Sequence, residues 1–218
     1  MHPVSGEVYA SNTQALNHIR FEGSGKAAST VRGRIAESRI SVVNVAANRV
    51  DPVHLNSHLD FSLAQGATVA AATKAKSLAQ PTALAFSADG GTLYTAAFGS
   101  AKVAALPTAT LLSSGFTPDS SQHIAVPAGP AGLALNATGS RLYVYSLIAH
   151  SVSQIDTATK TSLANLPMFS PESAAVRAGR RFLYDATESS ANGSSSCASC
   201  HIFGDLDHLS WDLGNPDD

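Results

Sequence analysis

"PTALAFSADGGTLYTAAFGSAKVAAL", residues 81–106, returns in altered form as "PAGLALNATGSRLYVYSLIAHSVSQI" at residues 130–155, and that return decides the fold. A third stretch, "PESAAVRAGRRFLYDATESSANG" at 171–193, lines up behind them. Pro and Tyr stand equally far apart in all three (81 to 94, 130 to 143, 171 to 184), and Leu93, Leu142 and Leu183 each precede the Tyr. Gly90-Gly91, Gly139 and Gly179 come just before that pair, where a turn is needed. Each unit therefore predicts an alternating apolar strand, a Gly/Asn/Asp turn and a second strand ending in Leu-Tyr, the pattern of a β-hairpin. Two units run on into a third strand, Val103 to Leu106 and Val152 to Ile155.

Repeat starts lie 49 and then 41 residues apart, a period that suits a four-stranded propeller blade. "GEVYASN" at 6–12 matches the second strand of the repeat, and "RISVVN" at 39–44 matches a delayed third strand, so the first blade carries a long insertion. Residues 49–80 fit worst; "DPVHLNSHLD" is expected to be a loop or a short helix. On a helix His54 and His58 would share one face with metal-binding spacing, but without a third ligand nearby the commoner reading is two surface or capping histidines. The expected fold is all-β: a partial β-propeller of about three to four antiparallel blades, followed by the short start of an α-helical cytochrome c-type segment. Residues 1–186 hold the blades, 187–196 form a Ser/Gly-rich linker, and 197–218 begin a further domain. So few blades fall short of the about four to eight that close a ring, so the chain is expected to be part of a longer protein or to have its ring completed in some other way, and open blade edges favour self-association.

Composition narrows the function classes. Of 218 residues 44% are hydrophobic and 14% charged, which suits a folded core. A formal net charge of −2, with no basic cluster longer than Arg180-Arg181, argues against a nucleic-acid partner. No apolar run approaches the roughly 20 residues that span a bilayer. The start, "MHPVSGEVYASN", shows neither the basic nor the apolar region of a secretory signal. "GSGKAAST" at 23–30 lacks the first Gly of a phosphate loop and has Ala27 after Lys26 where Ser or Thr must meet magnesium. No G-x-S-x-G elbow is present for a hydrolase.

Both cysteines of the chain fall in Cys197-Ala-Ser-Cys200-His201, the C-x-x-C-H pattern of covalent c-type haem attachment. Two thiols at this spacing add across the two vinyl groups of one porphyrin edge, and the adjacent His swings beneath the iron as proximal ligand. The alternatives are a disulfide or redox pair, which would belong in a βαβ setting, and a zinc clip drawing on His201, His208, Asp205 or Asp207. With a clip, the chain would be a propeller module that binds a ligand or a protein. For a distal ligand Met168 is a candidate, although a core or turn methionine is the commoner reading of "NLPMFSP". His208, two turns beyond His201 if the segment is helical, would lie on the same side of the haem and so suits a second-shell or surface role. Trp211 either packs on the haem edge or anchors the segment.

The stretches "PTALAFSADGGTLYTAAFGS", "GPAGLALNATGSRLYV" and "FLYDATESSANGSSSCASCHIFGDLDHLSWDLGNPD" resemble bacterial proteins in which a YVTN or lactonase-like propeller is fused to a c-type cytochrome. The likeness spans most of the chain and is weakest at residues 49–80. It implies that Cys197 and Cys200 hold a single haem c, that His201 ligates its iron, and that the segment opens a domain similar to di-haem cytochrome c peroxidases. It also implies an exported protein, periplasmic or at the cell surface, with a redox partner. The sequence contains one C-x-x-C-H, so the peroxidase activity of that family is not carried by its residues alone.

Overall fold

A computed structural model describes residues 1–19, 34–63, 67–113 and 115–212, and of Phe203 the backbone only. The "GSGKAAST" stretch lies outside the described residues. Three antiparallel sheets follow one another along the chain, each a meander in which sequence neighbours pair. Blade 1 holds β1 (Val8–Ala15), β2 (Ala36–Asn44) and β3 (Arg49–His54). After a short helix, α1 (Ala71–Ala75), blade 2 holds β4 (Pro81–Phe86), β5 (Thr92–Ala97) and β6 (Lys102–Pro107). Helix α2 (Thr108–Leu111) then leads to the outer strand of blade 2, β7 (His123–Ala125). Blade 3 holds β8 (Pro130–Leu135), β9 (Arg141–Ser146), β10 (Ser151–Asp156) and β11 (Thr161–Pro167). The architecture is a partial β-propeller.

Period-two alternation in blade 2 explains the stacking. Leu93, Ala97, Ala104 and Leu106 point to blade 1, where Ile40, Val42, Val53 and Leu55 receive them. The intervening Tyr94, Val103 and Ala105 point to blade 3 and meet Leu142, Val144 and Ile155. Blade 2 is thus buried on both faces. The hairpin turns are set by their glycines: Gly90 has φ +74°, an αL conformation that residues with a Cβ enter only at a cost. A Cβ there would also lie 2.4 Å from the His2 ring, which packs edge-on against Phe86.

Two expectations change. The third repeat is not a hairpin: residues 171–193 form α3 (Ala174–Gly179), α4 (Arg181–Tyr184) and α5 (Ala186–Ser189), so Leu183-Tyr184 lies in a helix. Val176 is the one β-branched residue between Pro171 and Tyr184, whereas Ala, Arg and Leu dominate, and these favour helix. Ser173 caps α3 by accepting from the Val176 N–H. Secondly, "DPVHLNSHLD" is neither all loop nor helix: Arg49–His54 pairs with β2, and His58 lies in the turn beyond. His54 stacks on Phe61 and His58 meets the Thr73 carbonyl through Nε2, so the two share no helix face. Blades 2 and 3 are four-stranded, as the repeat period suggests, with β7 and β11 as the fourth strands.

Acid should loosen this stack. Burial, and then nearby Lys102 and His58, pull the imidazole of His123 on β7 down from 6.5 to about 4, with the Ala75 carbonyl and Asp119 opposing. An unfolded chain takes up that proton near 6.5, so between pH 6.5 and about 4 the unfolded state binds more protons than the folded one. Stability is therefore complete above 6.5 and falls as pH drops through the window. Urea midpoints measured across it should decline with falling pH, and His123→Gln should flatten the decline.

Candidate functional site

Helix α5 and the segment after it are held against the propeller by side-chain hydrogen bonds. Lys74 of α1 donates through Nζ to the carbonyls of Thr187 at 2.7 Å and Ser190 at 3.0 Å. Ser77 Oγ donates to the Asn192 carbonyl at 2.7 Å, and Ser196 Oγ to Gln80 Oε1 at 3.3 Å. Ser194 and Ser196 are buried, so the C-terminal half of the Ser/Gly-rich stretch lies docked. Phe98 and Tyr184 meet edge to face with ring centroids 5.6 Å apart. Between them Gly99 lets the chains touch: a Cβ on it would stand 2.7 Å from Gln80 Oε1 and 3.1 Å from the Tyr184 carbonyl oxygen.

This docking carries the cysteine motif to the propeller. Cys197–Ser199 form one 3-10 turn, closed by a capping box in which Ser196 and Ser199 each accept from the other's backbone. The N–H groups of Cys200 and His201 both donate to the Cys197 carbonyl, at 3.2 and 3.0 Å, so the two cysteines and the histidine lie on a single tight turn. Cys197 is exposed, Cys200 half-buried, and neither forms a disulfide. Burial, then Asp207, then Cys197 push the Cys200 thiol up, which keeps it protonated near neutral pH. Low-pKa thiolates serve redox and metal-thiolate sites, and this thiol is shifted the other way.

His201 is oriented. Its Nδ1 lies 3.1 Å from the Asp205 carbonyl oxygen. A carbonyl has no proton to give, so Nδ1 carries the hydrogen and donates it, and Nε2 keeps its lone pair free to bind a metal. The imidazole is exposed to solvent on the motif's turn.

Beside the turn opens a cleft of about 560 Å³, to which the motif contributes Ala198 and Ile202. Phe98, Ile148 and Tyr184 give it apolar and aromatic walls, and Arg180 is the one charged lining residue, itself paired with Glu172. A volume of this size, largely apolar with a few polar groups, is that of a cofactor or small-molecule site. Sequence reasoning missed Phe98, Ile148, Arg180 and Tyr184, and no local signal marks them, because they come from distant segments.

The other expected residues lie elsewhere. Met168 follows β11 with its N–H donating to the His150 carbonyl at 2.7 Å; its side chain is 52% exposed and does not line the cleft. No helix runs from Leu206 to Ser210, so His208 is not stacked above His201 on a helix face. Trp211 donates through Nε1 to Asp207 Oδ2 at 2.5 Å, and Asn17 holds the Ser210 carbonyl at 3.0 Å, so the tail is anchored. Among the described residues no three His, Cys, Asp or Glu side chains converge as a metal-ion site. Among the described residues no helix is long and apolar enough to cross a membrane.

No protein-family model matches the sequence, and no curated protein matches it. Among solved structures, hydrazine synthase of Kuenenia stuttgartiensis is similar at 15% identity over 70% of this chain and 42% of that one, with a TM-score of 0.49. The Cps50 (Swd1) β-propeller domain of Myceliophteria thermophila is similar at 12% identity over 56% and 34%, with a TM-score of 0.38. Dihydro-heme d1 dehydrogenase NirN in complex with DHE is similar at 11% identity over 63% and 26%, with a TM-score of 0.41. The chain spans less than half the length of each of these three.

Proposed function

We propose that the C-terminal turn holds one covalent c-type haem and that the chain is a redox protein built on a propeller scaffold. The observation that carries this reading is the hydrogen bond from His201 Nδ1 to the Asp205 carbonyl, which leaves Nε2 free on the same turn as both thiols. Second-shell bonds of this kind fix the tautomer of metal-ligating histidines. The donor set fits the group: two uncombined thiols and an oriented imidazole on one turn, none of which lines the neighbouring cleft. Cys197 and Cys200 would hold the porphyrin as thioethers and His201 its iron. When bound, such a group supplies reversible one-electron transfer.

The chain's own residues would set how that group works. Lys74, Ser77 and Gln80 fix the segment to blades 1 and 2, so the cofactor would sit on a rigid support. The resemblance to exported propeller-cytochromes supports a place in the periplasm or at the cell surface, with a redox protein as partner and a di-haem peroxidase-like parent.

The test is optical. His201→Ala should keep the thioethers but lose the native axial ligation, changing the haem absorption spectrum; an unchanged spectrum contradicts the assignment. For the sixth position Met168 is the candidate that the sequence offers. Exposed and outside the cleft lining, it is expected to give an unchanged spectrum as Met168→Ala, and a loss of low-spin bands would identify it as the distal ligand.

A further inference from the structure

Helix α1 is five residues long, buries no side chain and has no side-chain cap at Ala70, so neither a core nor a cap holds it. Its hold comes from hydrogen bonds to its carbonyls. His58 meets the Thr73 carbonyl through Nε2 at 3.1 Å, and Lys102 of β6 donates through Nζ to the carbonyls of Ala75 at 2.8 Å and Ser77 at 3.4 Å. From the same few residues Lys74 and Ser77 reach the other way, to the carbonyls of Thr187, Ser190 and Asn192. Gly193 lies against both, where a Cβ would stand 3.2 Å from Lys74 Cγ and 3.5 Å from Ser77 Cβ. Residues 71–77 therefore form a strap, fastened to the blades on one side and to the segment that carries the cysteines on the other.

The fastening to the blades is built from titratable groups. His123 stands opposite Ala104 in the β6–β7 ladder, so period-two alternation puts its imidazole on the same sheet face as Lys102, the face turned to blade 1. Both ring nitrogens of His123 are closed off from solvent and make no hydrogen bond. His58 Nε2 carries its proton toward the Thr73 carbonyl, which leaves Nδ1 a lone pair, and that atom too is enclosed without a partner. The titratable groups facing the two rings are Lys76, Lys102 and Asp119, with His54 beside His58; Asp119 alone is acidic, and it is exposed. A proton added to either ring puts a second charge beside the Lys102 ammonium, and the Ala75 carbonyl near His123 already receives Lys102. Burial accordingly holds both imidazoles below their ordinary 6.5, with Lys102 adding to it.

We propose that residues 71–77 are a proton-sensitive strap, which fastens the cysteine segment to the propeller at neutral pH and releases it in mild acid. Lifting the strap opens both imidazoles to water, where they take up protons near 6.5, and closing it expels those protons. The released state binds more protons than the fastened one, so falling pH favours release. For His123 the gain is up to about tenfold per pH unit between 6.5 and about 4, and His58 adds to it in the same direction. Little opposes the motion at α1, which has no buried side chain, whereas the blades on either side of it share continuous cores. The strap concerns how the segment is attached and stands whether or not the segment holds a haem.

Hydrogen exchange of the full chain, read by mass spectrometry and corrected for the intrinsic pH dependence of amide exchange, tests this. Protection of the hydrogen-bonded amides in 73–78 and 189–194 should fall at least about tenfold between pH 7.5 and pH 5, while β5, β6 and β9 stay protected. At pH 5 a His58→Gln/His123→Gln double variant should keep the protection that the parent loses. Each single variant should lessen the pH slope, so the test does not rest on the double variant's folding. Lys74→Met should strip protection from 189–194 at pH 7.5 as well, because it cuts the strap's bonds to Thr187 and Ser190. Protection that does not change with pH overturns the proposal, as does a loss that the glutamine variants leave unaltered. A loss in step with the strands of blades 2 and 3 overturns it too, since that is unfolding of the whole propeller.

Discussion

Leu142→Ala is expected to destabilise the fold by about 2–5 kcal/mol, the cost of emptying a buried leucine site. Leu142 is fully buried in β9, paired with Leu135 on β8 and Ile155 on β10, and it packs against Tyr94, Val103 and Ala105 of blade 2. Its loss opens a cavity between blades that the flanking strands, fixed by their ladders, cannot collapse to fill. A typical domain has only about 5–15 kcal/mol in total, so such a change removes a large share. Urea unfolding should show a lower midpoint with an unchanged slope. The matched control is Leu163→Ala on β11, where the side chain is half exposed and a change within about 0.5 kcal/mol is expected. Equal effects at the two sites would mean that the blades are not held together through this row.

Blades 2 and 3 were legible because their signal is local: Pro, Gly, Leu and Tyr recur at fixed offsets, and the alternation around Tyr94 and Tyr143 names the faces. The outer strands were not. β7 is three residues long, reached through α2 and a turn, and β11 is exposed along nearly all its length, so neither shows alternation. β3 contains Pro52, which sequence rules discourage in strands, yet it lies at a sheet edge where a missing N–H costs nothing. The third repeat misled because its Leu183-Tyr184 kept the spacing while Ala and Arg around it moved the segment to helix. At the site, the cysteine motif could be picked out because its residues are contiguous, and the structure places Cys197, Cys200 and His201 on one turn. The cleft and the Asp205 carbonyl could not, since chain reversal alone brings Phe98, Ile148 and Tyr184 beside Ala198.

The largest effect expected of any substitution is the loss of covalent haem from Cys197→Ser/Cys200→Ser. Each thiol is needed as a separate anchor, and serine's hydroxyl does not form the thioether, so the double variant should hold no cofactor through denaturation. Both cysteines are free thiols, Cys197 exposed and Cys200 half-buried. The most direct measurement is a denaturing gel stained for haem, run on protein exported with an added signal peptide in a host with cytochrome c maturation machinery. A stained parent band that vanishes in the double variant is the predicted result. A folded parent with no stained band would contradict the haem assignment and return the motif to a zinc or disulfide clip on a binding propeller.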